Sequence, residues 1–119
     1  MLDSQFMPQD PLLISEASGQ TDEQRVLHLA GPIVLTSLFE LQDMLRADAS
    51  RRLILEMSSV PYVDSAAIGV LVGAHVSRQQ HDRALALAAV TERVRTTLHV
   101  TQVEQLFQFY GSLAEVPST

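Results

Sequence analysis

Cysteine is absent from this chain of 119 residues, and so are lysine and tryptophan. Without cysteine there are no disulfides, thiolate zinc sites or thiol nucleophiles. Without lysine there is no Schiff base, no catalytic amine and no phosphate-loop lysine. All eight basic residues are arginines, against 14 acidic ones, for a formal charge of −6. An acidic chain with scattered arginines is a poor nucleic-acid ligand and is repelled by an anionic membrane surface. Aromatic residues are scarce at 5%. The longest apolar run, Ala66 to Ala74, stops at His75 and is about half of what a bilayer requires. The start of the chain has neither a basic cluster nor an apolar signal segment, so a cytoplasmic protein without membrane insertion is expected.

The composition fits one globular unit. Hydrophobic residues make up 46% and charged residues 18% of the chain, well away from the composition of disordered segments. At this length a single core is feasible without staples. Residues 1–10, with Asp3, Gln5, Asp10 and Pro8, read as a flexible tail, and 11–119 as one domain.

The patterning predicts an α/β fold. Two apolar runs, one starting at Leu12 and one at Val26–Ala30, flank the turn-rich segment Ser18–Asp22 and suggest a hairpin. From Thr36 to Ala49 the period becomes helical through Leu38, Phe39, Leu41 and Leu45, with Thr36 or Ser37 as N-cap and Glu40 completing a capping box. Leu53-Ile54-Leu55 reads as a strand buried on both faces, and Ser58–Tyr62 as a loop. A helix over Ala66–Gln80, a strand over Arg83–Val90, a Thr91-capped helix to about Val100, a strand over Leu106–Tyr110 and a last helical turn over Ser112–Val116 complete the order. Repeated βα units imply a mainly parallel or mixed sheet of four to five strands packed with about four helices. Gly69 and Gly73, costly inside a helix, suggest close approach to the sheet or to a partner.

Val60-Pro61-Tyr62-Val63-Asp64-Ser65 leads straight into the apolar helix, which places the Ser65 hydroxyl at a helix N-terminus. Unpaired N–H groups and the helix dipole favour an anion there. A phosphate on Ser65 would be accommodated by the fold and would repel a docked protein. Asp and Ser ahead of a helix are also ordinary N-caps, and physics alone favours that simpler reading. The histidines His28, His75, His81 and His99 show no metal-ligand spacing, so no metal site is expected. No cofactor fingerprint and no nucleophile elbow are present, so enzymatic activity is not expected. Phe107, Phe109 and Tyr110 read as strand packing.

Leu53-Ile54-Leu55-Glu56, and above all Asp64-Ser65-Ala66-Ala67-Ile68-Gly69-Val70-Leu71, resemble the signature region of STAS domains, the sulfate-transporter and anti-sigma-factor-antagonist domains. Val90–Leu98, Val103–Leu113 and Leu27–Ile33 extend the resemblance in family order. It implies a single STAS domain. It also implies an anti-sigma factor antagonist that regulates transcription by partner switching. A partner that is both anti-sigma factor and serine kinase phosphorylates Ser65, and a phosphatase resets it. Asp64, Ser65, Ala66, Ala67, Ile68 and Gly69 form the partner-binding helix end. The antagonist itself needs no cofactor. The alternative is a non-phosphorylated scaffold or transporter-associated module; a third class binds a small ligand near that helix. A homodimer is an option if Gly69 and Gly73 are exposed. The sequence departs from the family at Ala66-Ala67, where Ser-Gly is usual, at Val34, where many antagonists carry Asp, and at His81-Asp82-Arg83, which lacks the common Gly.

Overall fold

In the computed structural model, which describes residues 10–118, the chain forms one mixed sheet with all its α-helices on one face. Strands β1 (Leu13–Ser18) and β2 (Gln24–Ala30) form the antiparallel hairpin. Strands β3 (Arg52–Ser59), β4 (Ala84–Ala88) and β5 (Gln108–Tyr110) continue it in parallel, so the spatial order β1-β2-β3-β4-β5 is the chain order. The connections are α1 (Phe39–Ala47), α2 (Ser65–Gln79) and α3 (Glu92–Val100). There are thus three α-helices among the described residues; the fourth expected one is a single 3-10 turn at Leu113–Glu115, and another such turn, Glu104–Leu106, precedes β5. The tail expected over residues 1–10 lies, apart from Asp10, outside the described residues.

Strand alternation divides the core. Leu27, Leu29, Leu53, Leu55, Met57, Leu85 and Leu87 point to the helices, where Leu41, Leu45, Leu71, Val94 and Leu98 meet them. The other face buries Val26, Ile54, Ala86 and Ala88 under Val116, with Leu113 alongside. Gln24 anchors that C-terminal segment by donating to the Pro117 carbonyl at 2.5 Å.

Boundaries differ from the sequence expectations where side chains redirect the backbone. β3 runs on through Ser58 and Ser59, because β2 extends beside it past a register shift and Gly31 N–H donates to the Ser59 carbonyl at 3.0 Å. Gly31 itself has φ +119°, and a Cβ there would lie 2.5 Å from the Pro11 carbonyl oxygen, so only glycine fits this turn. α1 starts at Phe39, not near Thr36. The Ser37 hydroxyl is engaged one turn earlier, accepting from Val34 N–H at 3.0 Å and donating to the Pro32 carbonyl at 2.8 Å. Leu38 becomes the N-cap without a side-chain bond, and the expected capping box does not form.

The missing glycine before β4 is replaced by Asp82, which takes φ 58°. Asp tolerates this left-handed region better than most residues. Ala89, after β4, has φ 56° and lacks that tolerance. Replacing Ala89 with Gly is therefore expected to raise stability by up to about 1 kcal/mol, the left-handed penalty less glycine's entropy. Urea unfolding of the variant checks it.

Candidate functional site

The site is built at the carboxyl ends of β2 and β3. Ile33 and Val63 form an isolated parallel bridge beyond the two strands. Around it, Ile33 N–H donates to the Tyr62 carbonyl and Asp64 N–H to the Ile33 carbonyl, each at 3.2 Å. The loop before α1 and the loop before α2 are thus stitched together ahead of both helices.

Asp64 completes this stitch with its side chain. One carboxylate oxygen accepts from Ala67 N–H at 2.9 Å and caps α2. The other accepts from Leu35 N–H at 2.9 Å. Asp64 is therefore both an N-cap and a cross-loop brace. Its φ and ψ of −108° and −176° are those of an ordinary extended cap residue. No residue from Asp64 to Gly69 has positive φ. Ala66-Ala67 therefore serves where the family usually has Ser-Gly: this helix start does not need glycine's freedom.

Ser65 is the first residue of α2 and is exposed. Its hydroxyl makes no hydrogen bond among the described residues, and the N–H groups of Ser65 and Ala66 find no acceptor there. Of the other residues expected at the helix end, Gly69 is exposed and Ala66 half-buried, whereas Ala67 and Ile68 are buried in the core. The accessible face is therefore Asp64, Ser65, Ala66 and Gly69. The helix approaches the sheet through Ala67, Ile68 and Leu71, and Gly69 and Gly73 lie on its outer side with open space around them.

Two exposed apolar residues that the sequence did not assign to the site lie in the loop that Asp64 braces and at the first turn of α1. Leu35, whose N–H the Asp64 carboxylate holds, and Phe39, the first residue of α1, are each 58% exposed. Phe39 falls in the apolar helical stretch, but it lies two residues before Leu41, about 160° round the helix from it, so it faces out where Leu41 and Leu45 face in. On the other side, Thr91 caps α3 through Val94 N–H and donates to the Val60 carbonyl, both at 3.3 Å, and the Arg93 guanidinium lies 4.8 Å from the Tyr62 ring centroid. Among the described residues no cluster of His, Asp and Glu could hold a metal ion. No helix there is long and apolar enough to cross a membrane.

Replacing Asp64 with Ala removes both bonds of the brace. The expected loss is about 0.5–2 kcal/mol from the cap alone. The sharper signature is local: amide exchange at Leu35 accelerates while the β3 amides stay protected to the extent that global stability allows. Hydrogen exchange read by NMR checks it.

The sequence profile described as the STAS domain matches residues 17–116. The anti-sigma-B factor antagonist of Staphylococcus aureus is 26% identical over 81 residues, which are 66% of this chain and 75% of that protein. In structure the chain is similar to an anti-sigma factor antagonist from Mycobacterium paratuberculosis, with a TM-score of 0.77 at 18% identity and 92% of each chain covered. It is also similar to a sulfate transporter family protein from Wolinella succinogenes, with a TM-score of 0.65 at 20% identity over 78% of this chain and 80% of that one.

Proposed function

The chain belongs to the STAS domain family, and from that premise we propose that it is an anti-sigma factor antagonist switched by phosphorylation of Ser65. The observation that carries this reading is the exposed Ser65 hydroxyl, free of hydrogen bonds among the described residues, directly after the Asp64 cap. The name of the similar S. aureus protein supplies the class of partner.

Unphosphorylated, the protein docks its Asp64–Gly69 helix end, with Leu35 and Phe39 beside it, on a cytoplasmic partner that is both anti-sigma factor and serine kinase. Docking releases the sigma factor. The kinase transfers phosphate from ATP to the Ser65 oxygen, the complex separates, and a phosphatase restores the hydroxyl. The antagonist contributes the acceptor hydroxyl and the docking face; nucleotide and metal belong to the kinase.

The test is incubation with ATP and a cognate kinase-type anti-sigma factor, read by intact mass. One phosphate should be gained by this chain and none by Ser65→Ala. No incorporation, together with unchanged partner binding by Ser65→Asp, would leave a scaffold without a phosphoswitch.

A further inference from the structure

We propose that the groove between α1 and α2 is a binding site for an anionic amphiphile, one aliphatic chain ending in a carboxylate or phosphate. The groove has a volume of about 590 Å³, the size of an ordinary small-molecule site. Its apolar walls are Leu45 from α1 and Ala66, Gly69, Val70, Gly73 and Ala74 from α2. A Cβ added at Gly69 or Gly73 would meet nothing within 4 Å. Neither glycine serves a positive φ or the contact with the sheet. Each weakens its helix relative to alanine. What they provide is empty space along the α2 side of the groove.

The groove is also polarised. At the end remote from Ser65 it is lined by Arg46, His81 and Arg83. Its one carboxylate, Asp48, is occupied by Arg78 at 3.1 Å. The other arginines of the chain are engaged: Arg25 with Glu16, Arg51 with Glu23, Arg52 with the Pro117 carbonyl, Arg93 with Tyr62 and Arg95 with Glu104. Arg46 and Arg83 alone have no side-chain partner among the described residues, in a chain of formal charge −6, and both line this groove. Burial first of all holds the Arg78 guanidinium below its ordinary value against the pull of Asp48, and Arg83 adds a smaller push in the same direction. From Ala66 to Ser77 the groove follows α2 for about 16 Å, an apolar run with a cationic end. That pattern complements an aliphatic chain with an anionic head better than an uncharged ligand or a bare anion.

The experiment titrates the full chain with sodium dodecanoate below its micellar concentration, with dodecyl maltoside as the uncharged counterpart and inorganic phosphate as the head alone. Backbone amide shifts report where each binds, and sedimentation reports the oligomeric state. Saturable 1:1 binding of dodecanoate is expected, with shifts confined to α1 and α2 and affinity at least about tenfold above either control. The pair Arg46→Gln and Arg83→Gln should lower it to the level of the maltoside. Gly73→Leu, whose side chain enters open space, should abolish it while unfolding at the same or a higher urea concentration. The proposal is overturned by absence of saturable binding, by equal binding of the maltoside or of phosphate, or by undiminished binding in Gly73→Leu. A dimer that Gly73→Leu dissociates would overturn it too, assigning the groove to a second copy. None of these readings depends on phosphorylation of Ser65.

Discussion

Replacing Arg78 with methionine is expected to destabilise the domain by about 3–5 kcal/mol, the usual result of breaking a buried ion pair from one side. That is a large share of the roughly 5–15 kcal/mol that holds a domain together. Arg78 is the one buried cation among the described residues, 4% exposed, and the Asp48 side chain beside it is 9% exposed. The guanidinium donates from Nε to the Ala84 carbonyl at 3.0 Å and from one terminal nitrogen to the Ser50 carbonyl at 2.6 Å. The other terminal nitrogen reaches Asp48, with 3.1 Å to the carboxylate and 3.3 Å to the carbonyl. One side chain thus ties the end of α2 to the first residue of β4 and to the turn leaving α1.

Methionine fills much of the same space and donates nothing. Three carbonyls, those of Ala84, Ser50 and Asp48, lose this donor, and the Asp48 carboxylate keeps only Ser50 and a distant Arg25 at 3.7 Å. Lysine at position 78 restores the charge but not the planar fork, so Arg78→Lys should recover a minor part of the loss. Urea unfolding, with Asp48→Asn and the double variant completing a cycle, separates the pair from the carbonyl bonds. A loss below about 1 kcal/mol for Arg78→Met would place this cluster with ordinary surface pairs.

Arg78 also marks where sequence reasoning ran out. The strands and helices repeat with clear periods, so their order and the parallel sheet were legible from Leu53–Leu55, from the Ala66 helix and from the alternation of leucine and alanine in Ala84–Ala88. The Thr91 cap was legible because its hydroxyl does what the local pattern suggests. The start of α1 was not. Ser37 had two competing uses, and the turn at Val34 took it. Arg78 lies on a helix whose neighbours Ser77, Gln79 and Gln80 are exposed, and its partners come from residues 48, 50 and 84. Such a clamp depends on tertiary proximity, which no local period encodes. At the candidate site, Asp64 and Ser65 stood out by their position before an apolar helix. The bond from Leu35 spans 29 residues and needed the fold to be seen.

Phosphorylation of Ser65 is expected to leave the fold nearly unchanged and to weaken partner binding by two decades or more. The first half follows from the helix start. The added charge of about −1.5 to −2 meets the free N–H groups of Ser65 and Ala66 and the helix dipole, a gain of about 0.3–1 kcal/mol. Repulsion from Asp64 opposes it, and Asp64 cannot swing away without releasing Ala67 and Leu35. The two terms are comparable, so the unfolding midpoint should move little. The second half follows from desolvation. In the proposed docked complex the same phosphate would face the partner, where an unpaired or like-charged contact costs several kcal/mol. At about 1.4 kcal/mol per decade this exceeds a hundredfold in Kd. Ser65→Asp carries about half to two thirds of the charge and should show the same direction with a smaller loss, while Ser65→Ala should bind like the unmodified protein. Calorimetric titration of the partner with all four forms, beside their urea midpoints, tests the separation directly. Equal affinity for the phosphorylated and unmodified forms, or a midpoint that collapses with the phosphate, would mean that Ser65 is an ordinary first residue of α2 and not the switch.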